Sequence, residues 1–165
     1  MNEEELIKAC EDGDLKKVKS LIEKGIDINL EYDNWTPLTK ASGKGYLDIV
    51  KYLLKNGAEI DKENGYGWTA LMCASMNGCL DIVEYLVENG ANINIKNGYG
   101  WTALMWASID GHWDIVKYLI NEWADVDAKN NDGWTALICI LKNNQSIENS
   151  IGRINKLFDK KWRKC

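Results

Sequence analysis

The sequence predicts an all-α fold: a solenoid of stacked helix-turn-helix units joined by β-hairpin loops. Three ladders of residues at one constant spacing predict it. Trp35-Thr36-Pro37-Leu38 returns as Trp68-Thr69-Ala70-Leu71, Trp101-Thr102-Ala103-Leu104 and Trp134-Thr135-Ala136-Leu137, each 33 residues after the last. Asp48-Ile49-Val50 returns as Asp81-Ile82-Val83 and Asp114-Ile115-Val116, and Tyr52 as Tyr85 and Tyr118, with no insertion or deletion. When residues 64–96 are laid on residues 97–129, more than half of the positions are identical. Self-similarity at such a period marks a repeat array.

Each element of the unit has a local cause. Thr69 suits a helix N-cap, because its hydroxyl can accept an orphan N–H of the first turn. In the preceding unit Pro37 follows Thr36 at the first helical position, where a missing N–H costs nothing. Leu71, Met72, Ala74 and Ser75 suit a short helix buried on most sides. Gly78 then supplies a left-handed stop. A second helix follows, with Leu80, Ile82, Val83, Leu86 and Val87 at helical spacing, and Gly90 ends it. The stretch from Ala91 to Gly100 is rich in turn residues, and Asn97-Gly98 is a hairpin signal. One such unit cannot cover its own apolar faces, so neighbours must stack.

The run Asn64-Gly65-Tyr66-Gly67-Trp68-Thr69-Ala70-Leu71-Met72-Cys73-Ala74-Ser75-Met76-Asn77-Gly78, followed by Ile82-Val83, Leu86-Val87 and Gly90-Ala91-Asn92-Ile93-Asn94, resembles the ankyrin repeat. The resemblance covers nearly the whole chain and implies one domain over 1–165. Residues 1–31 match the second half of the pattern and read as an N-terminal cap. Full repeats run over 32–64, 65–97 and 98–130, and 131–165 reads as a C-terminal capping repeat. That last unit begins regularly at Asp132-Gly133-Trp134-Thr135. It departs where Asn144 replaces the glycine and Ser146 to Ser150 break the register. A final amphipathic helix carrying Ile147, Ile151, Ile154, Leu157 and Phe158 is expected to cap the stack, since a solenoid needs soluble ends.

Three further departures bear on packing. The family's histidine after the leucine is replaced by Thr39, Met72, Met105 and Ile138, so apolar packing is expected where a polar network usually stands. Asn34 stands where Gly67, Gly100 and Gly133 occupy the turn, a tolerable change because Asn visits the left-handed region. Trp123 stands where Gly57 and Gly90 end the second helix. A left-handed tryptophan there costs roughly 1–2 kcal/mol; it reads either as an altered C-cap or as an outward contact residue.

Composition narrows the function. The chain has 165 residues, 45% apolar and 27% charged, with a net charge of −5. That balance argues against nucleic acid or an anionic membrane as the main partner. The only basic concentration is Lys160, Lys161, Arg163 and Lys164. No apolar run exceeds the six residues Ala136 to Leu141, against the roughly 20 needed to span a bilayer. The start, Met1-Asn2-Glu3-Glu4-Glu5, lacks a signal peptide's features, and the reading is a cytoplasmic or nuclear protein. The five cysteines show no CxxC pairing, so neither a disulfide framework nor a zinc site is expected. No catalytic motif appears and no cofactor is expected. His112 sits where the family carries histidine for structural reasons, and the Asp48, Asp81, Asp114 ladder places one carboxylate near each second-helix N-terminus, where the helix dipole favours it.

What remains is surface. The resemblance implies a groove of hairpin tips and first helices that binds a protein partner, as a scaffold, inhibitor or host-targeted factor. The chain is expected to be a monomer. Trp35, Trp68, Trp101 and Trp134 are expected to form an exposed stripe, with Tyr32, Tyr66 and Tyr99 on the same hairpins; such residues dominate interface hot spots. The same tryptophans could instead pack on neighbouring hairpins and stiffen the array, and both readings stay open. An alternative function is an aromatic cage for methyl-lysine or a similar cation. There Trp106 resembles the cage tryptophan of some ankyrin domains, with Trp101, Trp134 and the carboxylate of Asp110 or Asp132 completing the site.

Overall fold

The computed structural model describes residues 3–142, and the expected C-terminal capping helix lies outside them. Among the described residues there are nine helices: α1 (Glu3–Asp12), α2 (Leu15–Glu23), α3 (Pro37–Lys44), α4 (Leu47–Lys55), α5 (Ala70–Met76), α6 (Leu80–Glu88), α7 (Ala103–Asp110), α8 (Trp113–Asn121) and α9 (Ala136–Lys142). The odd-numbered helices pack on one another in chain order and form one layer. The even-numbered helices α2, α4, α6 and α8 form a second layer against it. Leu71, Leu104, Ile82 and Ile115 are fully buried between the layers, as the periodicity requires.

The helix ends follow the sequence closely. The Thr69 hydroxyl accepts the Met72 N–H at 3.3 Å, and Thr102 does the same for Met105. Pro37 sits in the first turn behind Thr36. Asp48 and Asp81 each accept the following N–H, from Ile49 and Ile82, at the start of α4 and α6. One departure concerns the position of the family's histidine. Met72 and Met105 are buried as apolar filling, but Thr39 is polar and used: its Oγ1 accepts the Thr36 N–H at 3.1 Å while Thr36 caps Thr39.

The hairpins are shorter than expected. Among the described residues no strand forms, and the single β-bridge joins Tyr32 and Trp35. The reason lies in Asn64, Asn97 and Asn130. The Asn64 Oδ1 accepts both the Tyr66 and Trp68 N–H groups at 3.0 Å, so the side chain takes the donors a strand ladder would use. Asn97 and Asn130 repeat this arrangement. The first hairpin instead turns through Asp33 and Asn34, both left-handed at φ 49 and 62, as a two-residue loop demands. Loops are also tied across repeats: Asn29 accepts the Glu59 N–H, Asp61 the Asn92 N–H, and Asn94 the Asp125 N–H.

Trp123 follows α8 with φ 67 and its side chain 77% exposed, in the slot where Gly25, Gly57 and Gly90 have φ 88, 96 and 92.

Candidate protein-binding face

The odd-numbered helices after α1 begin directly after the hairpins, so each tryptophan of the ladder at positions 35, 68, 101 and 134 directly precedes a threonine at the helix start. This puts Trp35, Trp68, Trp101 and Trp134 in register along one edge of the inner layer. Of the two readings left open for these tryptophans, an exposed stripe or packing on neighbouring hairpins, the geometry is that of packing. All four are half-buried and packed against the core, and their rings touch. Trp35 meets Trp68 edge-on with centroids 6.4 Å apart, and Trp101 meets Trp134 at 6.2 Å. An indole carries so much apolar surface that contact with its neighbour is favoured over exposure.

The central link is Trp106, which α7 delivers into the gap between two hairpins. Its ring lies 5.4 Å from Trp68 in an edge contact and 4.6 Å from Trp101 in a stack, with planes 28° apart. The indoles of Trp35, Trp68, Trp106, Trp101 and Trp134 thus form one unbroken ladder. Lysines close both ends: Lys40 Nζ lies 4.2 Å from the Trp35 centroid and Lys142 Nζ 5.0 Å from that of Trp134. Glu11 holds Lys44 at 3.0 Å and reaches Lys40 at 3.8 Å. Those two lysines in turn hold the Glu11 carboxyl below its usual range, Lys44 by a hydrogen bond first and Lys40 by charge second.

The cage arrangement fares differently. Trp101 and Trp106 press face to face, so the space a methylated ammonium would need between them is filled by the walls themselves. Asp110 and Asp132 are exposed. Partial burial of its carboxyl still pushes Asp110 above the usual range, offset in part by His112. His112 has a structural role of its own, with its Nε2 2.9 Å from the Met76 carbonyl of the preceding repeat.

Three tyrosines of these hairpins remain outward, Tyr32 least and Tyr66 and Tyr99 more so. Tyr66 is 47% exposed and rests on Trp35 and Trp68, at 5.9 and 5.6 Å. Tyr99 is 69% exposed, and its ring meets no other aromatic ring among the described residues. In its repeat Trp106 sits between the flanking indoles. The sequence reading missed the two lysines of the ladder. A signal was present for the first, because Lys40, Trp106 and the cysteines Cys73 and Cys139 share one position of the repeat.

A family model described as ankyrin repeats (3 copies) matches residues 6–97 and 94–149. The chain belongs to the ankyrin-repeat family. Relatives share it in part. The 2-5A-dependent ribonuclease of Mus musculus is 47% identical over 64 residues, which cover 36% of this chain and 9% of that protein. Ankyrin repeat domain-containing protein 40 of Homo sapiens is 41% identical over 63 residues, 37% of this chain and 17% of the relative. Protein phosphatase 1 regulatory subunit 27 of Homo sapiens is 46% identical over 56 residues, 33% and 36% of the two chains. The alignments thus span well under two thirds of these relatives. Ankyrin repeats serve generally as protein-interaction modules and are typically non-catalytic. Among the described residues no group of three His, Cys, Asp or Glu side chains could hold a metal ion, and no helix is long and apolar enough to cross a membrane.

Proposed function

We propose that this ankyrin-repeat chain binds a protein partner across the edge formed by its hairpins and odd-numbered helices. Tyr66 and Tyr99 are the outward contacts, and the tryptophan ladder is the floor on which Tyr66 rests. The observation that supports this is the division of labour among the aromatics. The indoles are committed to one another, whereas Tyr99 spends its ring on no aromatic partner among the described residues and stands 69% exposed. Tyrosine offers a large contact area at low entropic cost, which suits a binding surface. For Tyr66 the packed indoles beneath the ring also cut the ordering cost of association. The weight of binding therefore moves from Trp68 and Trp101, the centre of the stripe, to the tyrosines above them.

The test is a comparison of partner capture from source cells by the unaltered chain and by a Tyr66→Ser, Tyr99→Ser variant with the same denaturation midpoint. Loss of a specific captured protein supports the reading. Equal capture by both overturns it.

A further inference from the structure

The outer layer carries a row of tyrosines with a regular cation, and among the described residues the row breaks at its third member. Lys19 Nζ lies 5.5 Å from the Tyr52 ring centroid, and Lys51 Nζ lies 5.2 Å from that of Tyr85. One repeat further on, the residue equivalent to Lys51 is Glu84 and the ring is that of Tyr118. The ring is half-buried on α8, with Glu84 and Glu88 on the neighbouring α6 and Glu122 at the C-cap of α8, one turn further on. The Tyr118 phenol is pushed above its usual range, by burial first and then by the charges of Glu122, Glu88 and Glu84. So the position that sets Lys51 over the ring of Tyr85 holds a glutamate here, and Tyr118 lies in the field of Glu122, Glu88 and Glu84.

We propose that Tyr118, Glu84, Glu88 and Glu122 form a docking site on the outer face of α6 and α8 for an arginine or lysine side chain presented by a partner protein. The internal precedent names the ligand: the two equivalent rings each take an ammonium from within the chain. Charge complementarity then strengthens what the ring alone offers, since a cation over an aromatic face gains from both. The site is separate from the hairpin edge, so the two surfaces could be engaged together.

The probe is a blocked Gly-Arg-Lys-Arg-Gly peptide added to the isotope-labelled full chain, read by backbone amide shifts. Shifts should concentrate at Glu84, Glu88, Tyr118 and Glu122 and spare Tyr52 and Tyr85. Glu84→Lys restores the regular lysine and should weaken the peptide about tenfold or more, with the fold kept because Lys51 stands at the same repeat position. Tyr118→Leu should weaken it severalfold, about what one cation–π contact is worth. Glu23→Lys, at the end of α2, carries the same charge change and should stay within about twofold. Shifts scattered over acidic residues at large, or equal weakening by Glu23→Lys, would overturn the site. So would movement of the same signals, without peptide, on changing Lys160, Lys161, Arg163 and Lys164 to Gln, since the chain would then fill the site itself.

Discussion

The Trp106 indole stacks on that of Trp101 with centroids 4.6 Å apart, although the two rings come from different elements, one from inside α7 and one from the hairpin before it. The indole N–H of Trp106 is buried with no acceptor among the described residues. Such an orphan donor costs about 1–3 kcal/mol, so the ring contacts must outweigh it.

Two substitutions separate these terms. Trp106→Ala removes the link between Trp68 and Trp101 and should cost about 2–4 kcal/mol. Trp106→Phe keeps a ring in the slot and drops the orphan N–H, so it should cost under about 1 kcal/mol. Urea denaturation of both variants measures the difference. Equal losses would mean that a ring in the slot counts for nothing beyond the indole itself.

Trp68→Ala and Tyr99→Ala should behave in opposite ways. Trp68 touches Trp35, Tyr66 and Trp106, and its loss should cost at least about 2 kcal/mol of stability. Tyr99→Ala should change stability by no more than about 0.5 kcal/mol. It should weaken the partner by about 2 kcal/mol, roughly thirtyfold. Denaturation midpoints and titration calorimetry on the same two proteins decide this.

Gly78 and Gly90 test local crowding against backbone strain. Both are left-handed, at φ 75 and 92. A Cβ on Gly78 would meet the His112 ring at 2.7 Å, whereas one on Gly90 would meet nothing within 4 Å. Gly90→Ala should therefore cost only the left-handed penalty of about 1–2 kcal/mol. Gly78→Ala should cost more, because it also displaces the histidine from the Met76 carbonyl. Similar thermal shifts in both would show that the His112 contact is dispensable.

Trp123→Gly should melt higher than Trp123→Ala, since both remove the indole and only glycine relieves the left-handed backbone. Relief of the left-handed strain, about 1–2 kcal/mol, is partly offset by the added freedom of glycine in the unfolded chain. Trp123→Ala retains the strain and should lack that gain. Thermal unfolding of the two variants side by side checks it.

Thiol labelling should follow burial. Desolvation pushes Cys10 and Cys73 up to about 12 and Cys139 to about 11. Cys79 is half-buried, with its thiol raised by burial and by Asp81. Thiolate is the reactive form, so among these four Cys79 should react first at about pH 8, and Cys10 and Cys73 only as the array opens. Mass spectrometry of partially labelled protein gives the order.

The sequence disclosed the frame and left the surface open between two readings, for a physical reason. Thr69, Pro37, Gly78 and Asp81 act within a few residues of themselves, so their roles can be read from local pattern. The packing of Leu104 and Ile115 follows from period alone. The state of Trp68 depends instead on Trp106, which lies 38 positions away in the chain and one repeat along the stack. Nothing in the Trp68 neighbourhood announces that contact. Likewise, Asn64, Asn97 and Asn130 look like turn-formers in the sequence, yet their amide oxygens take the donors that strands would have used.

The ladder also has an optical meaning. Indoles in contact exchange electronic excitation, so the run from Trp35 to Trp134 absorbs and emits as a coupled set rather than as independent dyes. Bending the stack, or prying one hairpin from the next, alters the angles between those rings and hence the aromatic circular dichroism. The chain thus carries a built-in gauge of its own curvature, legible without any attached label.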